Sequence, residues 1–305
     1  MNHNWGRWGA ADERGALNLL TPDVVRAAAG AVRTGRVLSL SLPIRGATSG
    51  TAAHRVAHLR GRPLPQHFMS VDGGDYAAGA RAIGAGLRVA DDALVVSPHG
   101  TTTHMDALCH MWSGDELYNG HPAARVRSYG ATRCGIDKAL PGVVARGVLL
   151  DAAGFRGAPR LAAADRVDAA TLAACAEWAG VDLRPGDVAV VRTGWPTAYD
   201  DDPELYWSGQ PGLTGDAGRW LAERDVAMVA CDNAAVSGLR ADQSAGESGD
   251  DDLHLTLLWR HGVHIAEMLW LEDLAACDQA EFLFVAAPLA IDGGTASPIN
   301  PLAVL

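Results

Sequence analysis

Ser97-Pro98-His99-Gly100-Thr101-Thr102-Thr103-His104-Met105-Asp106-Ala107-Leu108-Cys109-His110 is the stretch on which the reading of this chain turns. It sets three imidazoles and a carboxylate among small hydroxyl residues, directly after the apolar run Ala93 to Ser97, which predicts a strand. In extended backbone, side chains repeat every two residues, so His104 and Asp106 share a face and can reach one ion. In a helix they would diverge. Cys109 and His110 are adjacent and would face opposite ways, which makes Cys109 a packed thiol rather than a nucleophile.

A second cluster lies far downstream, from His254 to Glu267. The pattern predicts a helix over Leu253 to Arg260, ending near Gly262, then a short strand. The acidic run Gly249 to Asp252 would form a solvated turn before that helix, where the dipole favours carboxylates. A histidine on the helix and a glutamate past the turn would converge on the first cluster. The resulting set of nitrogen and oxygen donors without sulfur suits zinc or manganese. His261 in the last helical turn is accounted for by the dipole alone. His264 alternates with Val263 and Ile265 and should face opposite to them. Glu267 would share its direction only if the strand bends.

Further from these clusters, Thr21 and Pro22 begin a helix that Gly35 stops, and a strand is expected over Arg36 to Leu42. The short apolar runs Gly147 to Asp151, Asp187 to Arg192, Val226 to Cys231 and Phe282 to Ala287 read as strands. Helices are predicted between some of them, from Ala169 to Ala179 capped by Asp168, and from Thr214 or Asp216 to Glu223, with Trp220 and Leu221 facing inward. Alternating strand and helix make α/β the natural class, as a single domain over residues 1–305 with an amino-terminal arm (about 1–20). The Gly-, Pro- and His-rich residues from about Gly46 to Asp92 form a long excursion.

The 305 residues carry a formal net charge of -11, and arginines are dispersed among acids, which excludes a nucleic-acid surface and directs attention to a small-molecule partner. The stretches of apolar residues fall short of a membrane span, and the opening residues lack the regions of a signal peptide, so the expected location is the cytoplasm. Cys109, Cys134, Cys175, Cys231 and Cys277 are scattered, suggesting reduced thiols. Neither a Gly-x-Ser-x-Gly elbow nor a Walker-type loop is present.

Thr103-His104-Met105-Asp106-Ala107-Leu108-Cys109-His110 resembles the Thr-His-x-Asp-Ala-x-x-His signature of the cyclase family of metal-dependent hydrolases, which includes kynurenine formamidases and isatin hydrolases. Supporting matches run along most of the chain: Asn4 to Gly9, Leu17 to Leu20, Tyr118 to Gly120, Val191 to Trp195, Cys231 to Asn233 and Gly293 to Pro298. The resemblance implies a swivelling β/β/α domain and homodimers or homotetramers with active sites near subunit contacts. It places His104, Asp106, His254 and Glu267 at metal-ligand positions and His110 at the catalytic histidine. The family's first ligand position falls on Gly100, with His99 one place before it as the candidate further ligand. One extra residue stands between Leu258 and Gly262.

The implied activity is hydrolysis of an aryl formamide, cyclic amide or lactone by metal-activated water, with His110 as acid or base. Ring closure at the same centre and a non-catalytic metal-stabilised binding protein are the rival readings. His67 and Phe68 of the excursion, Trp112 and Asp232 are the candidate substrate contacts, although Asp232 ends an apolar run where it equally suits a turn. Trp5 and Trp8 suit either an arm docked on a neighbouring subunit or a plain core contact. Gly293-Gly294 before Thr295 and Ser297 suits either a close backbone approach to the metal loop or a tight turn.

Overall fold

In the computed structural model the described residues are 3–45, 57–97, 99–242, 244 and 252–305. The first part of the excursion (46–56), Pro98 and the acidic run 249–251 lie outside them. The largest sheet has nine strands: β1 (Val37–Ser39), β2 (His104–Asp106), β3 (Val143–Asp151), β4 (Val188–Arg192), β5 (Met228–Cys231), β6 (His264–Glu267), β7 (Glu281–Ala286), β8 (Ala296–Pro298) and β9 (Leu302–Val304). Their spatial order is β1-β9-β7-β3-β4-β5-β6-β2-β8.

The middle strands β3 to β6 are parallel, and every pairing outside them is antiparallel. Composition explains this division. β4 and β5 read Val-Ala-Val-Val-Arg and Met-Val-Ala-Cys, are buried throughout, and so suit a parallel block covered on both faces. β7 alternates between half-buried and buried residues, with Phe282 and Phe284 in the core.

Helix α1 (Pro22–Ala28) begins with the Thr21 side chain accepting the Val24 N–H, and α2 (Ala169–Ala179) with Asp168 accepting that of Thr171. Both pack on β3. Helix α3 (Gly215–Ala222) buries Leu221, while Trp220 stays half-buried beneath the Arg224 guanidinium, 3.7 Å from its ring centre. α3 packs on α2 and on the helix that carries His254. A Cβ at Gly218 would stand 2.6 Å from Leu253 Cδ1, so glycine is what lets that helix lie this close.

Several expectations change. The strand expected over Arg36 to Leu42 is confined to Val37–Ser39, with one further bridge from Ser41 to Leu269. The run Ala93 to Ser97 is not a core strand. Asp91–Val95 pairs with Gln66–Val71 in a separate ribbon, leaving Leu94 and Val95 about half exposed. The tryptophan arm docks on its own chain: Trp5 donates from Nε1 to the Trp259 carbonyl (2.7 Å) and meets the Trp259 ring edge-on at 5.3 Å. Asn119 then accepts from the Gly6 N–H (2.7 Å), which explains why Asn4 to Gly9 and Tyr118 to Gly120 appear as separate motifs.

Candidate metal centre

β2 is the organising element. Its period-two backbone buries Met105 on one side and turns His104 and Asp106 to the other. Register with β6 sets Glu267 directly opposite His104, which brings His104 Nε2 to 3.3 Å from Glu267 Oε2. On the other edge β8 pairs with β2, and Ala107 N–H donates to the Thr295 carbonyl (3.0 Å). The Gly293 to Pro298 motif therefore serves the metal loop by holding its strand.

His254 enters from the first turn of the helix after Asp252, whose carboxylate accepts the Leu255 N–H (2.9 Å). Its Nε2 lies 3.1 Å from Glu267 Oε1. From Leu255 to Arg260 the helix is π-helical. A π turn closes at the fifth residue instead of the fourth, which suits the extra residue that the resemblance implies between Leu258 and Gly262. Gly15 and Gly262, both at positive φ, seal the helix end. A Cβ on Gly15 would fall 2.1 Å from the Gly262 carbonyl oxygen.

His99 and His110 complete the ring. His99 Nε2 is 3.4 Å from Asp106 Oδ1, and His110 Nε2 is 3.8 Å from Asp106 Oδ2. The short 3-10 turn His99–Thr101 carries His99 back over β2. Two sets, His99 with His104 and Asp106, and Asp106 with His254 and Glu267, each place their donor atoms within 4.8 Å of one another. They share Asp106. His104 Nδ1 is bonded to the Thr102 carbonyl (2.8 Å), which leaves Nε2 for the site.

The electrostatics of the bare residues show what the set is built for. Burial works against a charge on His104, yet Asp106 and Glu267 outweigh it and hold its pKa at about 9. Burial raises Asp106 to about 7. Burial also opposes the charge on Glu267, but bonds from His104 and His254 keep it at about 2. His99 is lowered to about 4 and His110 to about 3, chiefly by burial and then by neighbouring imidazoles. Both oxygens of Asp106 are buried and make no hydrogen bond. Such an orphaned carboxylate among imidazole nitrogens fits a divalent cation, which supplies the missing partner.

A cavity of about 260 Å³ opens onto the cluster. Leu59, Met111, Ala234, Ala235 and Leu239 form its apolar wall, and Arg62 and Asp252 are its other charged residues besides Glu267. His99 and His110 are the most open of the cluster, with 23% and 28% of their side chains exposed, against 0% for Asp106.

The remaining candidates lie elsewhere. His67 pairs with Asp92 across the ribbon (2.7 Å), and Phe68 is 47% exposed beside it; neither lines the cavity. Trp112 follows Met111 but is itself outside the lining. Asp232 is buried and accepts from Thr193 N–H, Thr193 Oγ1 and Gly194 N–H, so it ties the ends of β4 and β5 together. His264 faces away from Glu267, fully buried, with both ring nitrogens unpartnered and its pKa lowered to about 3 by burial. Burial pushes the Cys109 thiol up to about 12, as suits a packed residue. Leu59, Arg62, Met111 and Ala234 were not legible as cavity residues. Only the excursion itself signalled that residues before Asp92 reach the site.

Fold and site together define a mixed α/β protein whose sheet edge carries a histidine–carboxylate site for a divalent cation. The chain belongs to the cyclase family: the Cyclase family profile matches residues 38–237. Over the full length of both chains it is 34% identical to a crystal structure described as a novel cyclase, with a TM-score of 0.89. Isatin hydrolase A from Ralstonia solanacearum is 19% identical over 93% of this chain and 98% of its own, with a TM-score of 0.60. A protein from Bacillus stearothermophilus described as a predicted metal-dependent hydrolase is 20% identical over 88% of this chain and 97% of its own, with a TM-score of 0.53. The last two likenesses show the fold, which is the family's swivelling β/β/α architecture. No curated protein matches the chain. Among the described residues no helix is long and apolar enough to cross a membrane.

Proposed function

We propose that this protein is a metal-dependent hydrolase of a small amide, formamide or lactone. In this reading His104, Asp106, His254 and Glu267, with His99, hold a zinc or manganese ion, and His110 is the acid and base. The observation that carries the reading is the fully buried Asp106 carboxylate, without a hydrogen bond and ringed by imidazoles at the floor of an open cavity.

The bound ion would polarise the scissile carbonyl and make water acidic enough to attack it. The chain's own groups do the rest. Thr102 fixes the His104 tautomer, and Glu267 is held between His104 and His254, so the donor set is preorganised. His110, kept neutral by its surroundings, is in the form that accepts a proton from the attacking water. The Asp106 carboxylate 3.8 Å away favours the resulting imidazolium, which then returns the proton to the departing amine or alcohol. The apolar wall excludes bulk water and suits a compact organic group.

Ring closure at the same centre is the second reading, favoured by the 34% identity to a structure described as a novel cyclase. The exposed apolar residues Phe68, Met69, Leu94, Val95 and Leu289 support a homodimer or homotetramer. Unpaired thiols support a reducing compartment such as the cytoplasm.

Elemental analysis of the purified protein, beside His104→Ala and Glu267→Ala, tests the centre, and assays with formanilide, isatin and dihydrocoumarin test the reaction. Stoichiometric metal lost in both variants, with hydrolysis of one of these compounds, is expected. Full metal retention in either variant would overturn the ligand set.

A further inference from the structure

Among the described residues Arg62 is the arginine that lines the cavity. Its segment is fixed from both sides. Trp207 Nε1 donates to the His58 carbonyl (2.9 Å), Arg60 pairs with Glu204 and stacks over Trp207 at 4.6 Å, and Arg62 N–H closes a turn onto the Leu59 carbonyl (3.2 Å). The guanidinium itself makes no ion pair or hydrogen bond among the described residues and is exposed.

Gly100 locates it relative to the cluster. A Cβ built at Gly100 would stand 3.8 Å from Arg62 Nη1 and 4.0 Å from His104 Cε1. The guanidinium and the His104 ring therefore flank one point and lie no more than about 8 Å apart, the span of two functional groups on one small molecule. Asp252 is no counter-ion reserved for Arg62, because its Oδ1 accepts the Leu255 N–H. The protein as a whole carries a charge of -11, so this arginine is a local cationic contact for an anionic ligand at the cavity.

We propose that Arg62 selects substrates bearing a carboxylate, binding that group through its planar fork while the scissile carbonyl lies at the His104–Asp106 cluster. The substrate class is then an anionic amide, formamide or lactone whose acid group stands a few bonds from the carbonyl that is attacked. The assignment rests on the hydrolase reading for its chemistry, though the binding it asserts does not require turnover. A guanidinium–carboxylate pair is bidentate and directional, which sets the ring of a compact substrate against the wall of Leu59, Met111 and Ala234.

Matched probes differing only in the acid group test this: 2-formamidobenzoate against formanilide, with manganese-loaded wild type, Arg62→Met and Arg62→Lys. Dissociation constants are measured by calorimetry, and kcat and KM where there is turnover. The expected result is that wild type binds the acid about tenfold more tightly than the neutral amide, that Arg62→Met loses this preference through KM with formanilide changed less than about twofold, and that Arg62→Lys recovers part of it. Raised ionic strength should weaken acid binding in wild type and leave Arg62→Met unaffected. Equal binding of both probes by wild type, or equal loss of both in Arg62→Met, overturns the assignment. If neither probe is hydrolysed the hydrolase reading fails for these compounds, while the binding comparison still decides the role of Arg62.

Discussion

Replacing Asp106 by asparagine removes one charge from the centre of the cluster and almost no volume, and its effect should change sign with the metal. Without an ion, the carboxylate is fully buried with both oxygens unpartnered, and burial lifts its pKa from 3.8 to about 7. A carboxyl raised in the folded state contributes stability that is present below its unfolded value and lost as pH rises through the folded one. At pH 8 in chelator the wild type has lost that contribution. Asparagine does not titrate, but its buried amide costs ~2 kcal/mol for donors that lack good acceptors. Because burying an unpaired charge costs more than burying an amide, Asp106→Asn should melt above wild type in chelator by a few degrees, ~2 kcal/mol being about 3 °C for a chain of this size. Saturating metal reverses the order. An ion at a thousandfold excess over its Kd stabilises wild type by ~4 kcal/mol, and Asp106→Asn, lacking the carboxylate shared by both donor sets, gains little. Differential scanning calorimetry at pH 8 with EDTA and with manganese measures all four states. A variant that melts below wild type in EDTA would refute the reasoning, because it would show the carboxylate already satisfied by the protein.

Three further outcomes are expected. His110→Ala should lower turnover by ~10²- to 10⁴-fold while bound metal stays stoichiometric, as read by steady-state kinetics beside elemental analysis, since His110 is outside both donor sets. Metal affinity should rise with pH, because His104, at about 9, and Asp106, at about 7, must give up protons to serve as ligands; titrations from pH 6 to 9 in two buffers of different ionisation heat count the protons released. Trp5→Ala should cost ~2 kcal/mol, or about 4 °C, by removing a half-buried indole and its bond to Trp259, with thermal melts as the readout and intact metal content separating arm from site.

What could be read from the sequence follows the range of the interactions concerned. His104 and Asp106 were legible because strand parity is a local rule and β2 obeys it. The same parity separates His264 from Glu267, since residues three apart in a strand face opposite ways, and His264 stands outside both donor sets. Glu267 and His254 required a resemblance, because their meeting with β2 depends on a register between segments about 160 residues apart that no local pattern encodes. His99 stands one place off the expected ligand position, and the 3-10 turn that folds it back over Asp106 comes from backbone geometry around Gly100. Of the long excursion, Leu59 and Arg62 line the cavity, whereas His67 and Phe68, the residues singled out in the sequence, do not. Alternating apolar residues in the ribbon mimic a half-buried strand, whereas Leu59 and Arg62 are turned inward by Trp207 and Glu204, anchors that have no neighbourhood in sequence.

The sheet gives a reason for putting the cluster on this edge. β2 meets β6 through only two paired residues and β8 through three, so backbone hydrogen bonds alone hold the strand weakly. At the cluster β2 also carries Asp106, a buried carboxylate with no hydrogen bond and no lysine or arginine partner among the described residues. In the proposed reading one ion would meet both deficits: held by His104, Asp106, His254 and Glu267, it would neutralise the carboxylates and tie β2 to β6 and to the π-helical segment. Metal affinity and the hold of β2 on β6 would then be coupled, both rising as His104 and Asp106 give up protons. His99 and His110, the most exposed members of the cluster, line the cavity, so the groups that would hold the ion also border the space open to a substrate.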